Sequence, residues 1–284
     1  MVLLVFNPEH DLCLANGGPD FVPPQSALRL AESLCPCMLK LYPAHGNVVC
    51  AAHKVAEVVA EKGLPDSLQV WGWNAMLKRQ LAKQGIPERL MPSDEAIAAI
   101  RRLQHRSTLL PLQPQTVAAC TLGDVQHMLA EYTDIVLKAP WSGAGRGLRW
   151  ASRSLSSHDE LWIKKTIAHQ SCVIAEPRRS IAVEFALEYM VAHGSPQFIG
   201  YSLFQASNGV YTNNILLPDS EIAARLGSSA AWARSVVEPW LLATVAPHYS
   251  GPIGVDCYID NHGQPYVSEH NMRHTMGMVA HASL

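Results

Sequence analysis

Acidic side chains near the carboxyl end of the chain fall where two strands are expected to pair. The segment 251–276 (GPIGVDCYIDNHGQPYVSEHNMRHTM) predicts strands Val255–Asp260 and Pro265–Asn271 joined by a four-residue turn. Because strand side chains alternate between faces, simple register places Asp256 directly opposite Glu269. Like charges that face each other across a sheet repel. The hairpin therefore concentrates negative charge that needs a partner.

A hard cation would resolve this repulsion. Asn271 points to the same face as Glu269, so three oxygen-bearing side chains converge, provided that Asp260 pairs with Pro265. Mg²⁺ prefers carboxylate and amide oxygens and keeps some of its waters. We therefore predict a metal site formed by Asp256, Glu269 and Asn271. The alternative is an exposed hairpin with solvated acids.

A glycine-rich loop is the second feature with chemical potential. The predicted strand 135–138 ends at Lys138, and the sequence SGAGRG follows at residues 142–147. Glycines let backbone N–H groups approach an anion closely, and the basic side chains add charge for phosphate. No Gly-Lys-Ser/Thr opens a helix, so this is not a Walker A loop. The candidate phosphate contacts in the loop are Ser142, Gly143, Gly145, Arg146 and Gly147.

Further polar residues follow the first apolar run, Val2–Phe6, which predicts a buried parallel strand. In open α/β sheets ligands bind beyond the carboxyl ends of strands. His10 and Asp11 are therefore candidate substrate contacts, and a helix cap or a charge-paired loop histidine is the alternative. Farther along, Glu184 interrupts an apolar strand, so we expect it to be half-buried with a hydrogen-bond partner.

The composition is that of a globular protein without strong charge bias. The chain has 284 residues, 48% hydrophobic and 16% charged, with a net charge of −2. This balance does not favour nucleic acid as a partner. Seven scattered cysteines indicate free thiols, and Val2–Phe6 lacks the flanks of a signal peptide or a membrane span. We therefore expect a cytoplasmic protein with no membrane partner, and a homodimer is a fair default.

The elements that carry these residues divide the chain into parts. Alternating strands and helices over the first hundred residues predict a small α/β unit, and the pattern changes near Pro111–Pro114. We expect an α/β plus α+β fold. Its predicted parts are an N-terminal α/β domain (1–104), a first lobe with the glycine-rich loop (105–178) and a second lobe with the metal site (179–284).

The order of these motifs resembles the ATP-grasp superfamily, to which the D-alanine–D-alanine ligases and biotin carboxylases belong. The resemblance covers about residues 105–284, and its most specific part is the Asp256…Glu269-x-Asn271 ending. It implies two lobes that clamp ATP after a small pre-ATP-grasp domain. It also implies ATP and Mg²⁺ (or Mn²⁺) as cofactors.

The resemblance assigns roles to individual residues. Lys138 would hold the α/β-phosphates, and residues 142–147 would cover the β/γ-phosphates. Glu176 would lie at the hinge near adenine, and Glu184 would accept the ribose hydroxyls. Arg273 would contact the transferring phosphate or the substrate carboxylate, although a structural ion pair is an equal alternative.

One family lysine is missing. The family usually has another lysine at the start of the first lobe, where this chain reads Leu103-Gln104-His105-Arg106-Ser107. Arg106 is a candidate substitute, but arginine and lysine are not equivalent phosphate ligands.

The implied activity is an ATP-dependent carboxylate–amine ligase. A small-molecule carboxylate would attack the γ-phosphate, and an amine would displace phosphate from the acyl phosphate. A small-molecule kinase on the same fold and a non-catalytic nucleotide-binding module are the alternatives within this reading. A metal phosphohydrolase built on His10 and Asp11, with Asp20 and His45 as weak recruits, is a fourth hypothesis.

Overall fold

Three β-sheets follow one another along the chain in the computed structural model, which describes residues 1–143, 147–207 and 210–284. The first sheet is parallel, and the other two contain only antiparallel pairs among the described strands. A parallel sheet followed by antiparallel ones is the α/β plus α+β arrangement expected from the sequence.

The first sheet has three strands in the order β2-β1-β3. Apolar β1 is central and almost fully buried, as expected for a parallel strand covered on both faces. Its strands are β1 (Val2–Phe6), β2 (Val48–Ala51) and β3 (Ser67–Val70). The accompanying helices are α1 (His10–Asn16), α2 (Gln25–Leu34), α3 (Met38–Leu41), α4 (Val55–Lys62), α5 (Ala75–Lys83) and α6 (Asp94–Leu103).

The second sheet has four strands in the order β4-β7-β5-β6. A 3-10 segment, Arg106–Leu112, leads into it from α6. Two helices pack on the sheet, and both begin with a capping box. The elements are β4 (Val117–Ala119), α7 (Leu122–Tyr132), β5 (Asp134–Lys138), β6 (Leu148–Ser152), α8 (Ser157–Gln170) and β7 (Val173–Pro177).

The third sheet has five strands in the order β10-β9-β8-β11-β12. Its core extends to α6 and the 3-10 segment, so the last sheet packs against the connection that precedes the second. Pro239 lies one residue before the end of α10, which continues as a π-helical turn, Leu241–Val245. The elements are β8 (Ile181–Ala192), β9 (Ser195–Ser207), β10 (Val210–Ile215), α9 (Asp219–Leu226), α10 (Ser228–Trp240), β11 (Gly251–Asp260), β12 (Pro265–Asn271) and α11 (Met276–His281).

The C-terminal hairpin pairs Asp256 with Glu269 as predicted, but the assumed register was wrong. Ile259, not Asp260, is opposite Pro265. The pairing shifts by one residue next to Asp256, so Ser268 is the extra residue of a β-bulge. The one-residue offset at the turn and the bulge cancel, which restores the predicted pairing.

The polar residues after β1 lie at the start of a helix. His10 is the first residue of α1 and follows the N-cap residue Glu9, so its position is close to the helix-cap alternative and not to that of a loop histidine. The exact start of a helix is difficult to read from the sequence where several adjacent residues are polar.

Candidate active site

A single large cleft of about 1440 Å³ collects most of the predicted functional residues. Residues from all three sheets line it, including Lys138 at the end of β5 in the second sheet, and Asp11 lines it from α1 beside the first sheet. The predicted metal ligands Asp256, Glu269 and Asn271 line the same cleft. The fold therefore brings together groups that lie far apart in the sequence.

Lys138 is held at the end of β5 by an acid and a hydroxyl. Its Nζ lies 2.8 Å from Glu176 Oε1, and it donates to Ser268 Oγ at 3.4 Å. Both side chains of the ion pair are buried, at 9% and 11% exposure. Glu176 sits on β7, which pairs with β5, so the contact follows from the sheet. Ser268 reaches Lys138 from the bulge of the hairpin, a contact that sequence reasoning missed because the bulge is not visible in the sequence.

The three candidate metal ligands share one face of the third sheet. Asn271 Nδ2 donates to Asp256 Oδ2 at 3.1 Å, and Asp256 is opposite Glu269. No group of three or more His, Cys, Asp or Glu side chains among the described residues forms a metal site by itself. The trio that faces the cleft has two carboxylates and an amide, which is an oxygen set suited to Mg²⁺.

The electrostatics of this face fit a cation. Burial, followed by the neighbouring charges of Glu269 and Glu188, raises the pKa of Asp256 to about 8. A carboxyl group that is hard to ionise beside two other acids marks a place where negative charge is in excess. A divalent cation would reverse this penalty, so the residues present fit the metal that the sequence predicts.

Arg106 does not present its guanidinium to the cleft as a free phosphate ligand. Its Nη1 donates to Ala139 O at 2.5 Å and Ser142 Oγ at 2.7 Å. Its Nη2 donates to Ser142 O at 3.1 Å and Glu269 Oε1 at 2.5 Å. The side chain is buried and ties a candidate metal ligand to the start of the glycine-rich loop. A lysine has no fork that could span these acceptors.

Arg273 lies in the cleft and is paired with Asp11. The Arg273 guanidinium donates to both Asp11 oxygens, from Nε at 3.2 Å and from Nη2 at 2.9 Å. Its Nη2 also donates to Asn271 Oδ1 at 3.1 Å. Burial raises the pKa of Asp11, but the charges of Arg273 and His10 outweigh this and leave it below its ordinary value. This contact joins α1 to the residues that follow β12.

His10 differs from Asp11 in its surroundings. The imidazole is fully buried and does not line the cleft, and its Nδ1 lies 3.3 Å from Asn74 Nδ2. Burial is the main cause that lowers the pKa of His10 to about 4, so the ring is neutral. The phosphohydrolase hypothesis also needs Asp20 and His45 as ligands. Asp20 forms an ion pair with Arg79 at the surface, and His45 is exposed. Within the part of the chain that the structure describes, no metal-binding cluster forms around His10 and Asp11.

Part of the glycine-rich loop lies within the described residues. Ser142 Oγ accepts a hydrogen bond from Arg106 Nη1. Gly143 lines the cleft so close to Asp11 that an added Cβ would be 2.5 Å from Asp11 Oδ2. The backbone N–H of Ala139 donates to the carbonyl oxygen of Gly147 at 2.8 Å, which closes the base of the loop. Gly145 and Arg146 lie outside the described residues.

Two glutamates four residues apart on β8 face the cleft. Glu184 is half-buried, as expected, and its Oε2 accepts from the Ala206 N–H at 2.9 Å. Glu188 was not predicted as a site residue. It is 1% exposed, and Ser202 and Thr275 donate to its two oxygens at 2.9 and 2.8 Å. The only sequence signal for it was a second acid among apolar strand neighbours.

Comparison with known proteins rests on structure alone. No family model matches the chain, and no curated protein matches its sequence. No described helix combines the length and the apolar character needed to cross a membrane.

Several solved structures match almost the whole chain. N5-carboxyaminoimidazole synthetase from Staphylococcus aureus, complexed with ADP, is 18% identical with a TM-score of 0.56, over 96% of this chain and 70% of that one. Biotin carboxylase from Campylobacter jejuni, in a β,γ-ATP complex, is 13% identical with a TM-score of 0.58, over 99% and 67%. D-cycloserine synthetase DcsG is 15% identical with a TM-score of 0.57, over 100% and 98%.

These neighbours are ATP-grasp enzymes, and they match a chain with a parallel N-terminal sheet, two antiparallel sheets and a shared cleft. The fold expected from the sequence resemblance is thereby confirmed. The chain has the ATP-grasp fold.

Proposed function

We propose that the protein is an ATP- and Mg²⁺-dependent ligase that joins a small-molecule carboxylate to an amine through an acyl phosphate. The observation that carries the proposal is the convergence of Lys138, Arg273 and the oxygen trio of the third sheet in one cleft. The neighbours' bound ADP and ATP compounds support nucleotide as the ligand.

The residues divide the work by charge. Lys138 and the glycine-rich loop would hold the phosphates, with Glu176 and Glu184 toward the adenosine. Asp256, Glu269 and Asn271 would hold Mg²⁺, which neutralises phosphate charge when bound. Arg273 would bind the transferring phosphate once it exchanges Asp11 for that anion.

The chemistry follows in two balanced steps. A substrate carboxylate oxygen attacks the γ-phosphorus, and the bond to the β-phosphate oxygen breaks to release ADP. The amine nitrogen then forms a bond to the acyl carbon, phosphate leaves with the electron pair, and the nitrogen loses its extra proton. Positioning and charge neutralisation carry the rate, since the protein forms no covalent intermediate in this scheme.

The remaining expectations belong to the same proposal. We infer an N-terminal domain (1–104) and two lobes (105–178 and 179–284), because each of the three sheets falls within one of these ranges. Seven unpaired cysteines support a reducing compartment such as the cytoplasm. A homodimer remains a prediction.

The test is ADP release in Mg²⁺ with a panel of amino acids and small acids, with hydroxylamine as a trap for the acyl phosphate. We expect ATP-dependent hydroxamate formation, reduced about 10³-fold in Asp256→Asn, because loss of a negatively charged metal ligand removes several kcal/mol of transition-state stabilisation. Full activity in Glu269→Ala would contradict the proposal. A stable phosphorylated product without hydroxamate would indicate a kinase. ATP binding without turnover would indicate a binding module.

A further inference from the structure

We propose that Glu188, Ser202, Thr275 and Gly277 form the subsite that recognises the cationic amino group of the acceptor substrate. The inference rests on the proposed ligase function and names the acceptor's chemical class. All four residues line the cleft, on the sheet that also carries the candidate metal ligands or directly after it.

The sheet register places this subsite next to the metal trio. Glu188 on β8 pairs with Gly254 on β11, and Gly254 pairs with Asn271 on β12. Ser202 lies in the adjacent row, which contains Asp256. Paired residues share a face, and diagonal neighbours lie about 7–8 Å apart. A group bound at Glu188 is therefore adjacent to the place where the phosphate would be transferred.

Glu188 is a buried acid without a cationic partner. Among the described residues no lysine, arginine or histidine forms an ion pair with it. Its two hydrogen bonds come from neutral hydroxyls, one to each oxygen, and leave lone pairs free. A buried carboxylate is costly without a compensating charge. A substrate ammonium group would supply that charge, and Glu188 would accept one of its protons before the nitrogen lone pair attacks the acyl carbon.

The surrounding glycines keep room for this carboxylate. A Cβ on Gly254 would lie 2.8 Å from Glu188 Oε2, and a Cβ on Gly277 would overlap Glu188 Oε1. Larger residues at either position would displace the acid. The two glycines therefore leave open the space that the acid occupies.

Binding of blocked amines tests the proposal without knowledge of the carboxylate substrate. The probes are the α-amides of the proteinogenic amino acids, which can act only as amines, and their N-acetylated forms, which lack the positive charge. The readout is the shift in Tm in the presence of ADP and Mg²⁺. The variants are Glu188→Gln, which keeps the shape but loses the charge, and Glu184→Gln, a matched cleft glutamate on the same strand.

We expect at least one free amide, and none of the acetylated forms, to stabilise the wild-type protein. Glu188→Gln should bind that amide about 10- to 100-fold more weakly, as for a lost charged hydrogen bond. The Tm shift that ADP and Mg²⁺ produce in this variant should equal that of the wild type. Glu184→Gln should show the reverse pattern. The proposal is overturned if no free amide stabilises the wild type, if acetylated forms act equally, or if Glu188→Gln responds to the amide as the wild type does.

Two further results separate this proposal from the proposed function. If wild-type protein forms hydroxamate but Glu188→Gln binds amides normally, only the subsite is wrong. If ADP and Mg²⁺ do not shift the wild-type Tm and no hydroxamate forms, the ligase function itself is wrong. Should Glu188→Gln fail to fold, Ser202→Ala and Thr275→Val, which remove the two hydroxyls that donate to the acid, replace it in the same comparison, and unchanged amide binding in both overturns the proposal. Loss of Mg²⁺ binding in Glu188→Gln would reassign the acid to the metal, and would also overturn it.

Discussion

The second and third sheets differ in how the charges that they bring to the cleft are balanced. On the second sheet, the charge of Lys138 is matched by Glu176 at 2.8 Å. On the third sheet, Glu269 is paired with Arg106, but Asp256 and Glu188 form no ion pair with any described cation. The charge of Lys138 is therefore balanced within the protein, whereas Asp256 and Glu188 are left to be balanced by a ligand.

The difference shows where a ligand gains the most from binding. A phosphate at Lys138 competes with an existing ion pair, whereas a cation beside Asp256 relieves a charge that burial already penalises. A phosphate that binds at the second sheet must therefore replace Glu176 as the partner of Lys138. A cation that binds at the third sheet beside Asp256 has no ion-pair partner to replace.

The largest effect on stability is expected from breaking the balanced side. Lys138→Met leaves Glu176 buried and unpaired, so the free energy of unfolding should fall by about 3–5 kcal/mol. Urea denaturation measures this. The double variant Lys138→Met/Glu176→Leu should recover most of the loss, because it removes both charges, while ATP binding stays lost. A double variant as unstable as the single one would show that the pair is not internally balanced.

Stability of the metal-free protein should reveal the unbalanced side through pH. The raised pKa of Asp256 means that the folded state holds a proton that the unfolded state has already released. This contribution is complete below about 3.8 and is lost as pH rises through about 8. Asp256→Asn should therefore gain stability relative to wild type as pH rises over that window, measured by denaturation. Saturating Mg²⁺ should reduce the difference, and a pH-independent difference would contradict the assignment.

A moderate effect is expected where Arg106 links the two sides. Arg106→Lys keeps the charge but cannot span Ala139, Ser142 and Glu269, so Glu269 loses its orientation. Affinity for Mn²⁺, measured by its paramagnetic signal, should fall about 10- to 100-fold, as for other groups that orient metal ligands. Arg102→Lys on the exposed face of α6 is the matched control and should bind Mn²⁺ like the wild type. Equal affinities in both variants would mean that Arg106 has no part in the site.

The smallest effect concerns the contact between the glycine-rich loop and Asp11. Gly143→Ala would place a Cβ 2.5 Å from Asp11 Oδ2, so either the loop or the acid must move. We expect a loss of about 1–3 kcal/mol in stability, measured by thermal unfolding. Gly123→Ala, in the first turn of α7, is the matched control, since its Cβ would contact only Thr121 Oγ1, at 3.6 Å. This control should stabilise the protein by about 0.4–1 kcal/mol. Unchanged thermal stability of Gly143→Ala would show that the loop or Asp11 moves at little cost in free energy.

Much of the fold was accessible from local patterns. Apolar β1 was predicted with its observed ends, because it is a continuous apolar run with a distinct boundary at Asn7-Pro8. Strand β2 and helix α11 were not predicted, since both are short and their residues lack a strong period. Helix α1 was missed because its first turn is polar.

The candidate site was accessible only in part. Alternation along each strand and the register of the hairpin indicate which side chains share a face, so Asp256 and Glu269 were found as a facing pair. The bulge that brings Ser268 to Lys138 depends on how three strands fit together, which no local pattern records. The same holds for Arg106, whose acceptors lie 33 to 163 residues away.

The sequence by itself determined the identities, order and strand periodicity of the groups that line the cleft, and hence which ones share a face. The tertiary structure alone decided which charges are paired and which are left open. Lys138 forms an ion pair with Glu176, and Arg273 forms one with Asp11. Asp256 and Glu188 form no ion pair with a cation among the described residues. The reason is physical: alternation along a strand is a local property of the backbone, but the balance of charge in a cleft depends on distances between segments that are remote in the chain.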